Sequence, residues 1–154
     1  PYVLIVMLVL FVAAHLLLSR SRFGLHTYAI GGNKEAAVRA GIPVSRRLVM
    51  IYVLSATFAA IAGVVYNTRF TNGAANAGES MVLDTVAAVV IGGASLSGGA
   101  GTLVGTMIGS LIIAVLTNGL VILGINPFWQ FIAVGVVIIM AVLIDQAREK
   151  LVRS

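Results

Sequence analysis

Long apolar runs, separated by short polar stretches, dominate the hydrophobic pattern of this 154-residue chain. A helix rises about 1.5 Å per residue and the hydrocarbon core of a bilayer is about 30 Å thick, so about 20 apolar residues cross it. A locally thinner bilayer accommodates a shorter run. The pattern predicts an all-α, polytopic membrane protein with about four spanning helices, at residues 1–18, 48–66, 102–123 and 128–144.

Composition supports a membrane protein. Hydrophobic residues make up 60% of the chain and charged residues 10%, with a mean hydropathy of +1.08, whereas about 25% of a soluble domain is charged. The first run lacks the basic leading region and the cleavage site of a signal peptide. We therefore expect it to be a truncated spanning helix, and the chain to be the C-terminal part of a larger subunit.

The segment 84–101 differs from the spans because it is apolar but rich in glycine. Seven glycines occur between Gly92 and Gly109, and only about eight helical residues precede the first of them, too few to cross a bilayer. Broken backbone at membrane depth must be buried in protein or line a cavity. We expect a re-entrant half-helix followed by a turn at 92–101, although a kinked crossing by residues 83–96 is an alternative.

Two sets of residues in and around this segment are candidates for function. Glycines at four-residue spacing favour close helix packing, which also occurs in bundles of any function; these are Gly101, Gly105 and Gly109. Intramembrane polar and flexible positions indicate a transport pathway or gate; these are Asp84, Gly92, Gly93, Ser95, Ser97, Gly98, Gly99, Asn118 and Gln130. Alternatively, Asp84 caps a helix at the membrane surface, and Asn118 and Gln130 bond only to neighbouring helices.

The polar loop 20–47 fixes the expected orientation. It contains six of the ten basic residues and one acidic residue, and such loops stay in the cytoplasm. The tail 145–154 also carries basic residues and is expected to be cytoplasmic, whereas loop 67–79, with one base, is expected outside. Because the positive charge of the chain is concentrated in this orienting loop, it does not indicate nucleic-acid binding.

A short helix is predicted inside the cytoplasmic loop. Asn33 can cap it, Glu35 suits its first turn, and Gly41 followed by Pro43 ends it. About seven residues are too few for an isolated helix in water, so we expect a partner surface, although a surface helix without a partner is also possible.

Enzymatic alternatives lack the residues that they require. Gly99 and Ala100 occupy the positions of the lysine and the hydroxyl residue of a phosphate-binding loop. Ser95 and Ser97 lack a nearby histidine base and the frame of a nucleophilic serine. The absence of cysteine excludes disulfides and thiolate metal sites. We therefore predict no catalytic residues, no metal site and no cofactor bound by this chain.

Three stretches of the sequence resemble a known family, the permease subunits of ATP-binding-cassette importers, and within it the ribose/xylose/galactose-type sugar permeases. The stretches are HTYAIGGNKEAAVRAGIPV at 26–44, VAAVVIGGASLSGGAGTLVGTMIGSLI at 86–112 and NPFWQ at 126–130. The resemblance covers residues 23–145 and implies the C-terminal part of one transmembrane permease domain, in the bacterial inner (plasma) membrane.

The resemblance also implies partners and a mechanism. The short cytoplasmic helix would couple transport to a separate cassette ATPase subunit, which would bind ATP and Mg²⁺; the implied coupling residues are Gly31, Gly32, Asn33, Glu35, Ala36, Ala37, Arg39, Ala40 and Gly41. A second permease subunit, identical or different, a periplasmic or extracellular solute-binding protein and membrane lipid would complete the assembly. The implied function is import of a small solute, a monosaccharide, by alternating access.

Two other functions remain open at this level. A related permease could carry branched-chain amino acids or nucleosides, since such permeases share the glycine-rich segment. An ATP-independent secondary transporter or channel would also contain a broken helix, but it would not need the short cytoplasmic helix.

Overall fold

A computed structural model of the chain describes residues 2–70 and 78–153, with most of their side chains. These residues form helices joined by turns and contain no strand, which confirms the all-α prediction. The chain divides into two compact units, Pro1–Ala77 and Gly78–Ser154, each of which is described separately. The helices of the first unit are α1 Tyr2–Arg20, α2 Arg22–Gly32, α3 Lys34–Arg39 and α4 Val44–Phe70. Those of the second are α5 Glu79–Ile91, α6 Leu103–Ile122 and α7 Pro127–Arg153.

Three described helices are long and apolar enough to cross a membrane, and they overlap three of the predicted spans. They are Tyr2–Arg20, Val44–Thr68 and Leu103–Ile122. The fourth predicted span lies within α7 as the shorter apolar stretch Phe128–Leu143. The apolar windows of α1 and α4 have no buried residues. Their side chains are therefore available to lipid or to other protein, as expected for helices of a polytopic membrane protein.

Helix α2 differs from the sequence prediction, which places residues 22–32 in a loop. Three glycines lower the helix propensity of this stretch, but Ser21 offsets the loss at the N-terminus. Its hydroxyl oxygen accepts hydrogen bonds from the backbone N–H of Phe23 at 3.1 Å and of Gly24 at 3.3 Å. Gly24 also lies so close to the backbone carbonyl of Leu18 that a Cβ atom would overlap it. Tertiary contact thus stabilises a helix that local propensity disfavours.

The core of the first unit joins α2, α3 and α4. Ile30, Ala37 and Val44 are buried together. Ile42 and Leu48 pack against this cluster from its edge. The short helix α3 is therefore fixed to its neighbours by one small side chain.

In the second unit, α5 packs against both α6 and α7. The buried cluster contains Ala87 and Ala88 of α5, Ile113 of α6 and Val134 of α7. Small residues on α5 bring the helix backbones close, so this unit is held by close packing of apolar side chains and backbone.

Two predicted segments fall only partly on described residues. In the predicted outer loop 67–79, residues 67–70 continue α4 and Glu79 begins α5, whereas 71–77 lie outside the described residues. In the predicted tail 145–154, residues up to Arg153 continue α7.

Candidate functional site

The predicted cytoplasmic helix is present as α3, and its ends are formed as expected. The Asn33 side-chain oxygen accepts a hydrogen bond from the Ala36 backbone N–H at 2.9 Å, which confirms Asn33 as the N-cap. After Ala40, Gly41 adopts a φ of 77°, a left-handed conformation that glycine adopts without strain. The Ile42 N–H then donates to the Ala37 carbonyl at 3.0 Å, closing the helix end.

One face of α3 is buried and the other is open. Ala37 is only 3% exposed because it packs against Ile30 and Val44. Glu35, Ala36 and Arg39 are exposed, as are Lys34 and Ala40. Among the side chains that the structure describes, Glu35 and Arg39 form no ion pair, so both charges are free to reach another surface.

Gly31 and Gly32 have a different place from the one expected. They form the last turn of α2 rather than the start of α3. The break between the two helices is at Asn33, whose backbone is extended, with φ −156° and ψ 102°. Asn33 serves both helices, because its backbone N–H donates to the Ala29 carbonyl of α2 at 3.0 Å.

The glycine-rich segment forms a non-helical turn between α5 and α6. α5 ends at Ile91, and the backbone between Gly92 and Thr102 is turn or irregular. Within the turn, the Ser95 N–H donates to the Ala100 carbonyl at 3.0 Å and the Gly98 N–H donates to the Ser95 carbonyl at 3.2 Å. Four of its glycines have positive φ, a conformation that explains the residue type: Gly93, Gly98, Gly99 and Gly101.

Three glycines bring the backbones of α5 and α6 into direct contact. A Cβ atom on Gly105 would overlap the carbonyl of Gly92, and one on Gly109 would overlap the carbonyl of Ala88. Such contact between small residues is a common way to pack membrane helices. Gly101 does not share this role, because it lies before α6 with a φ of 150° and faces Ala94.

A groove of about 380 Å³ lies beside this contact, between α5 and α6. It brings together two of the residues singled out from the sequence, Asp84 of α5 and Asn118 of α6. Ser95, Ser97 and Gln130 are not among its lining residues. The Gln130 side chain instead donates a hydrogen bond to the Ile125 carbonyl at 3.2 Å.

Sequence reasoning missed the hydroxyl groups of the groove. Thr106, Ser110 and Thr117 line it from α6, and Thr85 lines it from α5. The signal was available, since the three positions on α6 are spaced by four and seven residues and so share one helix face. Each residue alone is common in membrane helices, where its hydroxyl bonds to the helix backbone. No cluster of potential metal ligands occurs among the described residues.

The chain is similar to known permeases over nearly its whole length. The family model described as "Branched-chain amino acid transport system / permease component" matches residues 2–142. The chain belongs to this permease family. The match extends over both units and includes α3, the glycine turn and the groove.

Relatives of this permease-family chain carry the names of sugar importers. It is 49% identical over 149 residues to the ribose import permease protein RbsC of Bacillus subtilis, covering 97% of this chain and 46% of that protein. It is 42% identical over 150 residues to the xylose transport system permease protein XylH of Haemophilus influenzae, covering 97% and 40%. It is 44% identical over 135 residues to the galactose/methyl galactoside import permease protein MglC of Escherichia coli, covering 86% and 40%.

These relatives confirm the resemblance to sugar-type permeases, and the chain spans less than half the length of each. No solved structure gives a significant match. Membership of a permease family, together with three helices among the described residues that are long and apolar enough to cross a bilayer, identifies an integral membrane protein.

Proposed function

We propose that this chain is part of the membrane-spanning permease subunit of an ATP-driven importer, and that its cargo is a monosaccharide. The observation that carries the proposal is the 49% identity to a ribose import permease over 97% of the chain. The xylose and galactose permeases add further support for a sugar. In this proposal the chain is a transport subunit and not an enzyme, and ATP with Mg²⁺ is bound and hydrolysed by a partner subunit.

Helix α3 is proposed as the contact that transmits the movement of the ATPase. It is short and capped at both ends, and Ala37 fixes it to the α2–α4 core. A force on its exposed face would therefore move neighbouring helices as a body rather than bend α3 itself. The exposed side chains that we propose as the docking surface are Lys34, Glu35, Ala36, Arg39 and Ala40.

The hairpin of α5, the glycine turn and α6 is proposed as the wall and gate of the pathway. Helix α5 has 13 residues, about 20 Å at 1.5 Å per residue, which is shorter than the hydrocarbon core of about 30 Å. A re-entrant position for α5 agrees with this length. Alternating access would then repack this hairpin against neighbouring protein.

The proposed assembly lies in the bacterial inner membrane. Loop 20–47 and the tail are cytoplasmic in this proposal, since both are basic. A second permease subunit, two ATPase subunits and a solute-binding protein on the outer side complete it. The binding protein would make the first selection among solutes.

The proposal is tested by reconstituting the full subunit with its ATPase and binding protein in proteoliposomes. Labelled ribose, xylose and galactose are supplied separately, with ATP or with a non-hydrolysable analogue inside. We expect uptake of at least one sugar with ATP and none with the analogue. Uptake that persists without ATP hydrolysis would instead identify a secondary transporter or channel.

Branched-chain amino acids are the second candidate cargo, because the matching family model is named for their transport. Labelled leucine is therefore supplied in a parallel reaction. ATP-dependent uptake of leucine, with no uptake of any of the three sugars, would replace the monosaccharide in the proposal.

A further inference from the structure

We propose that the α5–α6 groove binds the transported solute as a neutral polyol, whose hydroxyl groups donate hydrogen bonds to Asp84, Ser110 and Asn118. This inference rests on the proposed function, because it assigns the solute contact within the importer. The inference also goes beyond the proposed function, since it identifies the residues that contact the solute and gives a chemical reason for a preference for sugars over amino acids.

Hydrogen-bond donors in the groove are mostly engaged by the helices themselves. The Thr85 hydroxyl donates to the Met81 carbonyl at 2.7 Å, and the Ser110 hydroxyl donates to the Met107 carbonyl at 2.7 Å. The hydroxyl of Thr117 donates to the Ile113 carbonyl at 2.9 Å. The oxygen atoms of these hydroxyls retain lone pairs and can still accept hydrogen bonds.

Asn118 and Thr106 follow the same pattern. The Asn118 amide nitrogen donates to the Ala114 carbonyl at 2.7 Å, which leaves one N–H and the amide oxygen for a ligand. The Thr106 hydroxyl donates to the Thr102 carbonyl at 3.2 Å. The groove therefore offers several acceptors and few donors, so it is complementary to a ligand that is rich in donors.

The carboxylate of Asp84 is the strongest acceptor in the groove. It forms no hydrogen bond or ion pair within the part of the chain that the structure describes. Residues 78–147 contain neither lysine nor arginine, so the sequence around it supplies no cation. A carboxylate at membrane depth without a partner is costly, and hydroxyl groups of a bound solute would supply the missing donors.

The remaining walls and the size of the groove suit a monosaccharide. Apolar side chains line it beside the polar ones, including Val89 of α5 and Ile113 of α6. A sugar presents C–H faces to such walls while its hydroxyls point to the acceptors. The volume of about 380 Å³ lies at the lower end of small-molecule sites, which hold about 300–1,000 Å³.

The same chemistry disfavours an amino acid as the ligand. The ammonium group of a zwitterion such as leucine could pair with Asp84, but its carboxylate would need donors or a cation of its own. The absence of lysine and arginine from residues 78–147 leaves only the second Asn118 N–H on a described lining side chain to meet it. We therefore expect the groove to accept a polyol and to reject a branched-chain amino acid.

Cysteine protection in the full reconstituted complex tests this assignment, because the chain has no cysteine of its own. Ser110→Cys places a thiol in the groove, and Val115→Cys places one on the same helix at a residue that is 73% exposed and outside the groove. A saturating transported sugar should slow labelling of the Ser110 variant by about tenfold or more, whereas equimolar leucine should not. Labelling of the Val115 variant should change with neither.

A second measurement covers the case in which the Ser110 variant does not assemble. Asp84→Asn and Asn118→Leu should each lower the rate of sugar uptake by about fivefold or more. A reduction of this size is expected from the loss of one hydrogen bond to the solute. Co-purification of the ATPase subunit with each variant shows whether the complex still assembles, since no residue of α3 lines the groove. Thr57→Ala is the control, because its hydroxyl makes the same kind of bond, to the Val53 carbonyl of α4 at 2.8 Å, outside the groove.

Normal sugar uptake in both groove variants would overturn the groove as the solute contact, as would unprotected Ser110→Cys in a complex that imports sugar. Either result would leave the sugar importer itself standing. By contrast, leucine uptake without sugar uptake by the unmodified complex would reject the proposed cargo, so the two failures are distinguishable.

Discussion

Gly109 of α6 lies directly against the backbone carbonyl of Ala88 in α5, with no room for a Cβ atom between them. Gly105 and Gly92 make a similar contact four residues earlier on α6. Backbone-to-backbone packing of this kind fixes the depth and rotation of one helix against the other, since only the smallest residue fits. It also fixes the groove, because Asp84 and Asn118 are on the two helices that this contact joins.

Gly109→Ala should destabilise the second unit. The added methyl group would overlap the Ala88 carbonyl, so α5 and α6 would have to separate, at a cost of about 1–3 kcal/mol typical of overpacking. Thermal unfolding of the full subunit in detergent measures this loss as a lower midpoint.

Gly119→Ala is the matched control on the same helix. No atom lies within 4 Å of a Cβ built on Gly119, and alanine is favoured over glycine in a helix interior by up to about 1 kcal/mol. This variant should be as stable as the parent or more so. Equal destabilisation by both substitutions would contradict the close contact at Gly109.

Ala36→Trp should block ATP-driven uptake without unfolding the subunit. Ala36 is on the exposed side of α3, so a large ring there would disturb a docked partner but not the Ile30–Ala37–Val44 cluster. ATPase co-purification and uptake in proteoliposomes measure the effect, and we expect both to fall at least tenfold.

Ala29→Trp provides the comparison, because Ala29 is an exposed alanine on the neighbouring helix α2. It should keep most of the uptake. Full activity of Ala36→Trp would exclude α3 as the docking surface. Ala37→Trp is a poor test, since Ala37 is buried and its replacement would disturb the core itself.

Asn33→Ala should weaken α3 by about 0.5–2 kcal/mol, the usual effect of removing an N-cap. The lost bond is the one from the Ala36 N–H to the Asn33 side chain. Amide hydrogen exchange in residues 34–40 of the full subunit should become faster. Asn33→Asp keeps an acceptor at this position and should preserve the protection. Unchanged exchange in the alanine variant would mean that the cap contributes little.

The sequence predicted features whose causes are local. Asn33 and Gly41 limit α3 through backbone groups within a few residues. The glycine turn was likewise predicted, since its positive φ values require glycine. Such signals depend on nearest neighbours, so they can be read without knowledge of the fold.

Features with distant causes were missed. Gly24, one of the glycines that lower the helix propensity of α2, is explained by a contact between two helices, because it packs against the Leu18 carbonyl of α1. The burial of Ala37 depends on Ile30 and Val44, which lie on two different helices. The groove residues Asp84 and Asn118 line one groove because Gly92, Gly105 and Gly109 bring α5 and α6 together. None of these contacts is encoded in the periodicity of a single segment.

Cysteine labelling across Ala87–Gly101 should follow the pattern of burial and then change with nucleotide. Ala87→Cys should resist small polar thiol reagents because residue 87 is fully buried in the second unit. Ser97→Cys should react, since Ser97 is exposed in the turn.

In the full complex, ATP binding should alter the labelling rate of Ser97→Cys several-fold if the turn belongs to the gate, because alternating access changes the water exposure of the turn. Glycine in the left-handed conformation on both sides of Ser97, at Gly93 and Gly98, gives the backbone freedom to make that change. Uniform protection from residue 87 to 101, in every nucleotide state, would remove the turn from the pathway.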